Sequence, residues 1–206
     1  MSSMDAADPR SDQRWVRAHA ALREAALRLA SETPLDELSL TAVAGAAGVS
    51  RSTAYDHAPT ARALVEEALL EELDALRDLY LVGITPDETP AATSTVTREV
   101  IAHVVRHGAI YRRGLAPGAG AGSLHGMLAA QFATSVYALL DAHDIDPGIP
   151  ARNARTQAAI DDIIVRGIAD GTVGQLAAWL QLPEPRDPEL FLAVNARLLP
   201  AWWRQP

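Results

Sequence analysis

The stretch from Leu38 to Pro59, LSLTAVAGAAGVSRSTAYDHAP, constrains what this chain can fold into more than any other part of it. Ser39 precedes a short apolar-periodic run of Leu40, Val43, Ala44 and Ala47. Gly48 supplies the left-handed backbone that a tight inter-helix turn needs, and Ser50 is placed to N-cap a second short helix. The stretch reads as a helix-turn-helix. Between Arg51 and Asp56 the second helix carries Arg51, Ser52, Thr53 and Tyr55, donors and a stacking ring of the kind that meets phosphates and base edges in a major groove.

The rest of the chain supports an all-α reading, with no alternating strand pattern of useful length and no internal repeat. Residues 1–10 are expected to be a mobile tail. A helix from about Ser11 to Ser31 follows, with Trp15, Ala18, Leu22, Ala25 and Leu29 at three- and four-residue steps. It gives the motif something to pack on, and residues 11–58 are read as one helix-turn-helix DNA-binding domain. Residues 59–82 form a long linker helix, with Leu69, Leu73, Leu76 and Tyr80 on one face and Glu66, Glu67, Glu71, Glu72 and Asp74 around the other. The loop GITPDETP then opens a second domain, residues 83–206. Helices are expected there from about Ala91 to His107, Tyr111 to Leu115, Ser123 to Ala142, 151 to 182 with a bend near Asp170 and Gly171, and Asp187 to about Trp203. The glycine-rich APGAGAG follows no strand and lacks a following lysine, which argues against a phosphate cradle.

A net charge of -8 argues at first against a nucleic-acid partner. The distribution reverses that argument: Arg10 to Arg62 contains seven arginines against six acidic residues, while Ala63 onward contains eleven against eighteen. Hydrophobic residues at 49% and charged residues at 21% are globular values, and 206 residues can bury a core without covalent staples. The absence of cysteine removes disulfides, thiolate metal sites and a cysteine nucleophile. No run approaches the ~20 apolar residues of a membrane span, and the polar N-terminus is unlike a signal peptide, so a cytoplasmic location without membrane contact is expected.

Taken together, ALREAALRLA, LSLTAVAGAAGVS, SRSTAYDHAP and the linker segment ARALVEEALL resemble the N-terminal domain of TetR-type transcriptional regulators over residues 22–69. The later half is similar in layout, best at GTVGQLAAWL, Gly171 to Leu180. The resemblance implies an N-terminal three-helix DNA-binding domain and a C-terminal helical ligand-binding and dimerisation domain. It implies that Arg51, Ser52 and Thr53 read bases or phosphates, that Tyr55 and His57 hold the DNA backbone, and that Ser39, Thr41, Ser50 and Arg62 complete the DNA-binding set. The sequence departs from the family where Asp56 replaces an aromatic, Ala58 a phenylalanine and Ala61 a phosphate-binding lysine; Arg62 is a neighbouring substitute for the last.

For the second domain the expected effector is a mostly apolar small molecule. His103, His107 and Tyr111 fall at steps of four, and His125, Gln131, Thr134 and Tyr137 lie on a later helix, offering polar groups that could orient it; the alternative for each is an ordinary core or surface polar residue. His103 and His107 also have metal-ligand spacing, but no third ligand can be assigned from sequence, so no metal and no cofactor are expected. A homodimer interface is expected on the face of Ile160, Ile164, Gly167, Ile168, Gly171 and Trp179 together with Phe191, Val194 and Leu198, the alternative being burial inside one protomer. Trp202 and Trp203 are expected to cover its edge. The resulting expectation is a ligand-responsive repressor that binds a palindromic double-stranded operator as a homodimer and is released by a small molecule. The alternatives are the same fold without DNA binding, or a small helical metal-dependent enzyme, for which no di-iron Glu-x-x-His pairs and no nucleophile elbow are present.

Overall fold

The computed structural model describes residues 9–120, 123–143 and 148–200, and among these every regular element is helical. The elements are α1 (Pro9–Ala30), α2 (Leu40–Ala47), α3 (Arg51–His57), α4 (Ala61–Leu81), a one-turn 3-10 helix (Pro86–Glu88), α5 (Thr89–Arg106), α6 (Gly108–Gly114), α7 (His125–His143), α8 (Ala154–Leu180) and α9 (Pro188–Leu198). Among the described residues no helix is long and apolar enough to cross a membrane. Of the expected tail, residues 1–8 lie outside the described residues, as do Trp202 and Trp203.

Two compact units divide within α4, Met1–Leu69 and Leu70–Pro206. In the first, α1, α2 and α3 pack on one another around Leu22, Ala26, Val43, Ala44 and Ala54, none of which is more than 1% exposed. The small side chains let short helices approach closely. Local chemistry sets the boundaries. The Ser39 hydroxyl accepts the Ala42 amide at 3.1 Å, Gly48 ends α2 at φ 68°, the Ser50 hydroxyl accepts the Thr53 amide at 3.0 Å, and Thr60 accepts the Ala63 amide at 3.0 Å to open α4. Each side-chain cap contributes ~1 kcal/mol, which matters most for α3, whose seven residues could not hold a helix alone.

In the second unit α7 and α8 are the main packed pair, and α6 and α9 also lie against α8. The 27-residue α8 runs without a break through Asp170 and Gly171, because Val165, Ala169, Val173 and Leu176 bury a continuous stripe at helical spacing. The last helix stops at Leu198, short of the expected end. Gly114 closes α6 where no side chain fits: a Cβ there would stand 2.6 Å from the Leu124 side chain, and the Leu124 amide donates to the Gly114 carbonyl at 2.8 Å.

Candidate nucleic-acid interface and effector site

The recognition helix α3 buries one residue fully, Ala54, and turns Arg51, Ser52, Tyr55 and Asp56 outward. Tyr55 is 58% exposed, a ring that the rest of the chain does not cover. At the helix start Ser50 Oγ also lies 2.9 Å from Ser52 Oγ and 2.8 Å from Thr53 Oγ1, so the three hydroxyls form one edge at the N-terminal end of α3. Ser39 is exposed at the start of α2, and Thr41 is half-buried beside it. Arg62 is held by Glu66, Nε to Oε1 at 2.7 Å, so a phosphate would compete with a carboxylate for it. Ala58 and Ala61 are buried at 5% and 1% exposure, which makes both departures from the family pattern packing positions.

His57, at the other end of α3, is tied into the unit. Its ring tilts against Trp15 at 4.5 Å between centroids, Trp15 stacks on His19 at 5.0 Å, and the Nδ1 atoms of His19 and His57 are 3.2 Å apart. His19 Nε2 reaches Glu67 Oε1 at 2.8 Å. A carboxylate only accepts, so His19 donates from Nε2, and its Nδ1 in turn accepts from His57 Nδ1–H. With both rings neutral, His57 therefore keeps Nε2 as an acceptor. Burial, and then the neighbouring His19, hold its pKa below the usual histidine value. Trp15, expected in the core stripe of α1, is half exposed and serves this cluster.

In the second unit three of the seven expected effector residues come together. His103 Nε2 lies 2.7 Å from the Tyr111 hydroxyl, and His103 Nδ1 and His107 Nε2 lie 3.1 and 3.0 Å from one oxygen of Glu72. Arg106 reaches the same oxygen at 3.1 Å. Burial, and then the charge of His107, depress the His103 pKa to about 4, which leaves its imidazole neutral at pH 7. Burial opposes ionisation of Glu72, but hydrogen bonding and charge from His107 and His103 outweigh it and hold the carboxyl below its usual value. Tyr111 is pushed above the usual phenol value by burial and by Glu72. The other four residues are dispersed. His125 pairs with Asp170 at 3.0 Å, Gln131 donates to Asp74 at 2.6 Å, Thr134 bonds the Ala130 carbonyl, and Tyr137 donates to Asp162 at 2.8 Å.

None of the seven lines the apolar cavity of this unit. That cavity, about 130 Å³, is bounded by Leu81 of α4, Thr93 and Val96 of α5, Phe132 and Val136 of α7, and Phe191 and Asn195 of α9, among others. Its walls are hydrocarbon apart from a few groups. Asn195 Nδ2 donates to Gln175 at 3.2 Å, while the buried Thr93 hydroxyl has no partner. Sequence reasoning missed these residues because it searched for polar groups; the signal available was the apolar spacing of Phe132, Val136 and Leu139.

The expected dimer set separates into two parts. Trp179 and Phe191 are each 4% exposed and pack on one another at 5.9 Å, so these two rings lie in the core of the single chain, between α8 and α9. Ile160, Ile164 and Ile168 are half-buried, and Ile168 borders the cavity. Gly167 and Gly171 are exposed, as are Val194 at 43% and Leu198 at 62%. Ile163 and Leu190, on the same two helices, are exposed as well.

Among the described residues the chain is all-α, and its N-terminal unit has the helix-turn-helix arrangement, with the capped second helix turned outward. Residues 22–68 match the family model described as bacterial regulatory proteins, tetR family. Residues 22–68 thus carry the N-terminal domain of this family. In overall fold the chain is similar to a tetR-family transcriptional regulator from Streptomyces coelicolor, with a TM-score of 0.54 and 24% identity over 87% of this chain and 79% of that one. No curated protein matches the chain.

Proposed function

We propose that the protein is a repressor that binds a palindromic operator as a homodimer and releases it when a small, mostly apolar molecule occupies the cavity of the second unit. The observation that carries this reading is the outward face of α3, where Arg51, Ser52 and the 58% exposed Tyr55 stand clear of the core. Arg51 and Ser52 supply donors for phosphates and base edges, Thr53 joins them through the Ser50 hydroxyl edge, and Tyr55 packs along the sugar-phosphate backbone. Dimerisation through the exposed parts of α8 and α9, Ile163, Gly167, Gly171, Val194 and Leu198, gives an isologous interface. Two copies of α3 then read half-sites ~34 Å apart.

The cavity supports the effector part of the reading. Its volume of about 130 Å³ is close to the ~150 Å³ at which a dry void accommodates benzene, so the effector is small or enters as the walls part. The unpartnered Thr93 hydroxyl favours a molecule with one hydrogen-bonding group on an apolar body. Leu81, the last residue of α4, is a wall residue, and on this reading an effector in the cavity touches the helix within which the two units divide. Release requires the effector to prefer one of two states, since tight binding to both alike shifts nothing.

A gel-shift titration on the DNA upstream of the coding region tests the reading. Saturable, sequence-selective binding by the wild type, with Arg51→Ala and Tyr55→Ala each weakening it more than tenfold, is the expected result. Equal affinity for scrambled DNA, or variants that bind like the wild type, would sink it.

A further inference from the structure

We propose that Glu72, His103 and His107 bind one divalent transition-metal cation, ligated by Oε2 of Glu72, Nδ1 of His103 and Nε2 of His107, with at least one coordination position open. This site is separate from the apolar cavity and does not depend on the operator reading. One ligand atom from each of the three residues lies within 4.8 Å of the others, the one such grouping among the described residues. The Glu72 oxygen stands 3.1 and 3.0 Å from the two imidazole nitrogens. Around an ion with bonds of ~2.0–2.2 Å, tetrahedral ligand atoms lie ~3.3–3.5 Å apart, so Glu72 has to withdraw from each imidazole by a few tenths of an ångström, while the two nitrogens, within 4.8 Å of one another, turn toward a shared ion. Two imidazoles and one carboxylate suit zinc and its first-row neighbours better than magnesium or calcium, which favour all-oxygen shells.

The surroundings favour ligation as well as the donors do. His103 and Tyr111 form a buried floor at 1% and 0% exposure, while the Glu72 side chain, a third exposed, marks the side of entry. Without metal, His103 donates from Nδ1 to Glu72 and accepts the Tyr111 hydroxyl at Nε2. With metal on Nδ1 the imidazole takes its other tautomer and donates from Nε2 to the Tyr111 oxygen, the outer contact that orients a ligating histidine. Arg106 opposes the cation by holding the same Glu72 oxygen, but its side chain is 64% exposed and can turn to solvent. By contrast, His19, His57 and Glu67 do not converge. The carboxylate takes one nitrogen of His19 and His57 faces the other.

The test is a cobalt titration of the tag-free, full-length protein after chelator dialysis, read by visible absorption, with displacement by zinc and thermal melting in parallel. One equivalent of Co²⁺ is expected to bind and to yield to Zn²⁺, with a rise in melting temperature. Glu72→Gln and His107→Ala should each weaken binding about 100-fold or more, Tyr111→Phe about tenfold. Arg106→Ala should strengthen it, and His125→Ala should leave it unchanged. Circular dichroism of the metal-free variants verifies that each is folded, and Glu72→Gln carries the test if His107→Ala is not. No saturable binding up to about 1 mM Co²⁺ would overturn the proposal. So would binding that survives both Glu72→Gln and His107→Ala, or that disappears only with His125→Ala.

Discussion

Each unit of the protein sets two histidines against a glutamate of α4, and the two sets are built differently. In the first, the groups form a line from His57 through His19 to Glu67, both nitrogens of His19 are used, and the exposed Trp15 ring lies over the two imidazoles. In the second, two nitrogens converge on one oxygen of Glu72 above a buried tyrosine. The same two residue types therefore do different work. A line transmits position, holding the end of the recognition helix against α1 and α4, whereas convergence leaves a point where a cation can sit. The number of donors does not separate the two cases; the direction in which their lone pairs point does.

Acid should separate the clusters most strongly. His103 has a folded pKa of about 4 against 6.5 for the unfolded chain, so the unfolded chain binds the additional proton as pH falls. The contribution is intact above pH 6.5 and is lost on the way down to about 4, a change of about 3 kcal/mol. Glu72, whose carboxyl is held below its usual value, acts in the same direction at the acid end. Urea denaturation of the metal-free protein between pH 7 and 4 measures this. His103→Asn should be less stable at pH 7 but should show a shallower loss with falling pH, and an identical slope for both proteins would break the assignment.

Tyr111→Phe is the next largest effect. It removes the hydroxyl that faces His103 Nε2 at 2.7 Å in a fully buried place, leaving a nitrogen with no partner and a cost of about 1–3 kcal/mol. Thermal melting at pH 7 should record that loss, while operator affinity at a temperature well below the melt stays unchanged. A variant as stable as the wild type would show that water replaces the hydroxyl and that the floor of the second cluster is open.

How much of this was legible in the sequence follows the range of the interactions. Ser39, Gly48 and Ser50 act on neighbours within a few residues, and the boundaries of α2 and α3 follow from their types alone. The contact between Glu72 and His103 spans 31 residues, and on its own helix Glu72 reads as one of several solvent-facing acids. Trp179 and Phe191 have the spacing of an interface stripe and are core, because a helix pattern records that a face is apolar and not which partner covers it. The cavity was illegible for the same reason: Thr93, Phe132 and Asn195 lie on three helices whose packing no local pattern fixes.

The smallest effect tests whether the first cluster positions the recognition helix. The seven residues of α3 have two tethers, the Ser50 cap at one end and the His57, Trp15 and His19 rings at the other. Ser50→Ala removes a cap worth ~1 kcal/mol, and loss of an aromatic contact at Trp15→Ala is of similar size. Each should weaken operator binding by up to about tenfold without changing the preferred sequence, because neither residue is then a base reader. The double variant should lose less than the sum of the two, since a short helix frayed at one end has less order left for the second tether to protect. Full additivity in gel-shift titrations would mean that the two ends act independently. In that case the line from His57 to Glu67 would hold only its own side chains, and the contrast with the converging cluster would be one of geometry without consequence for DNA.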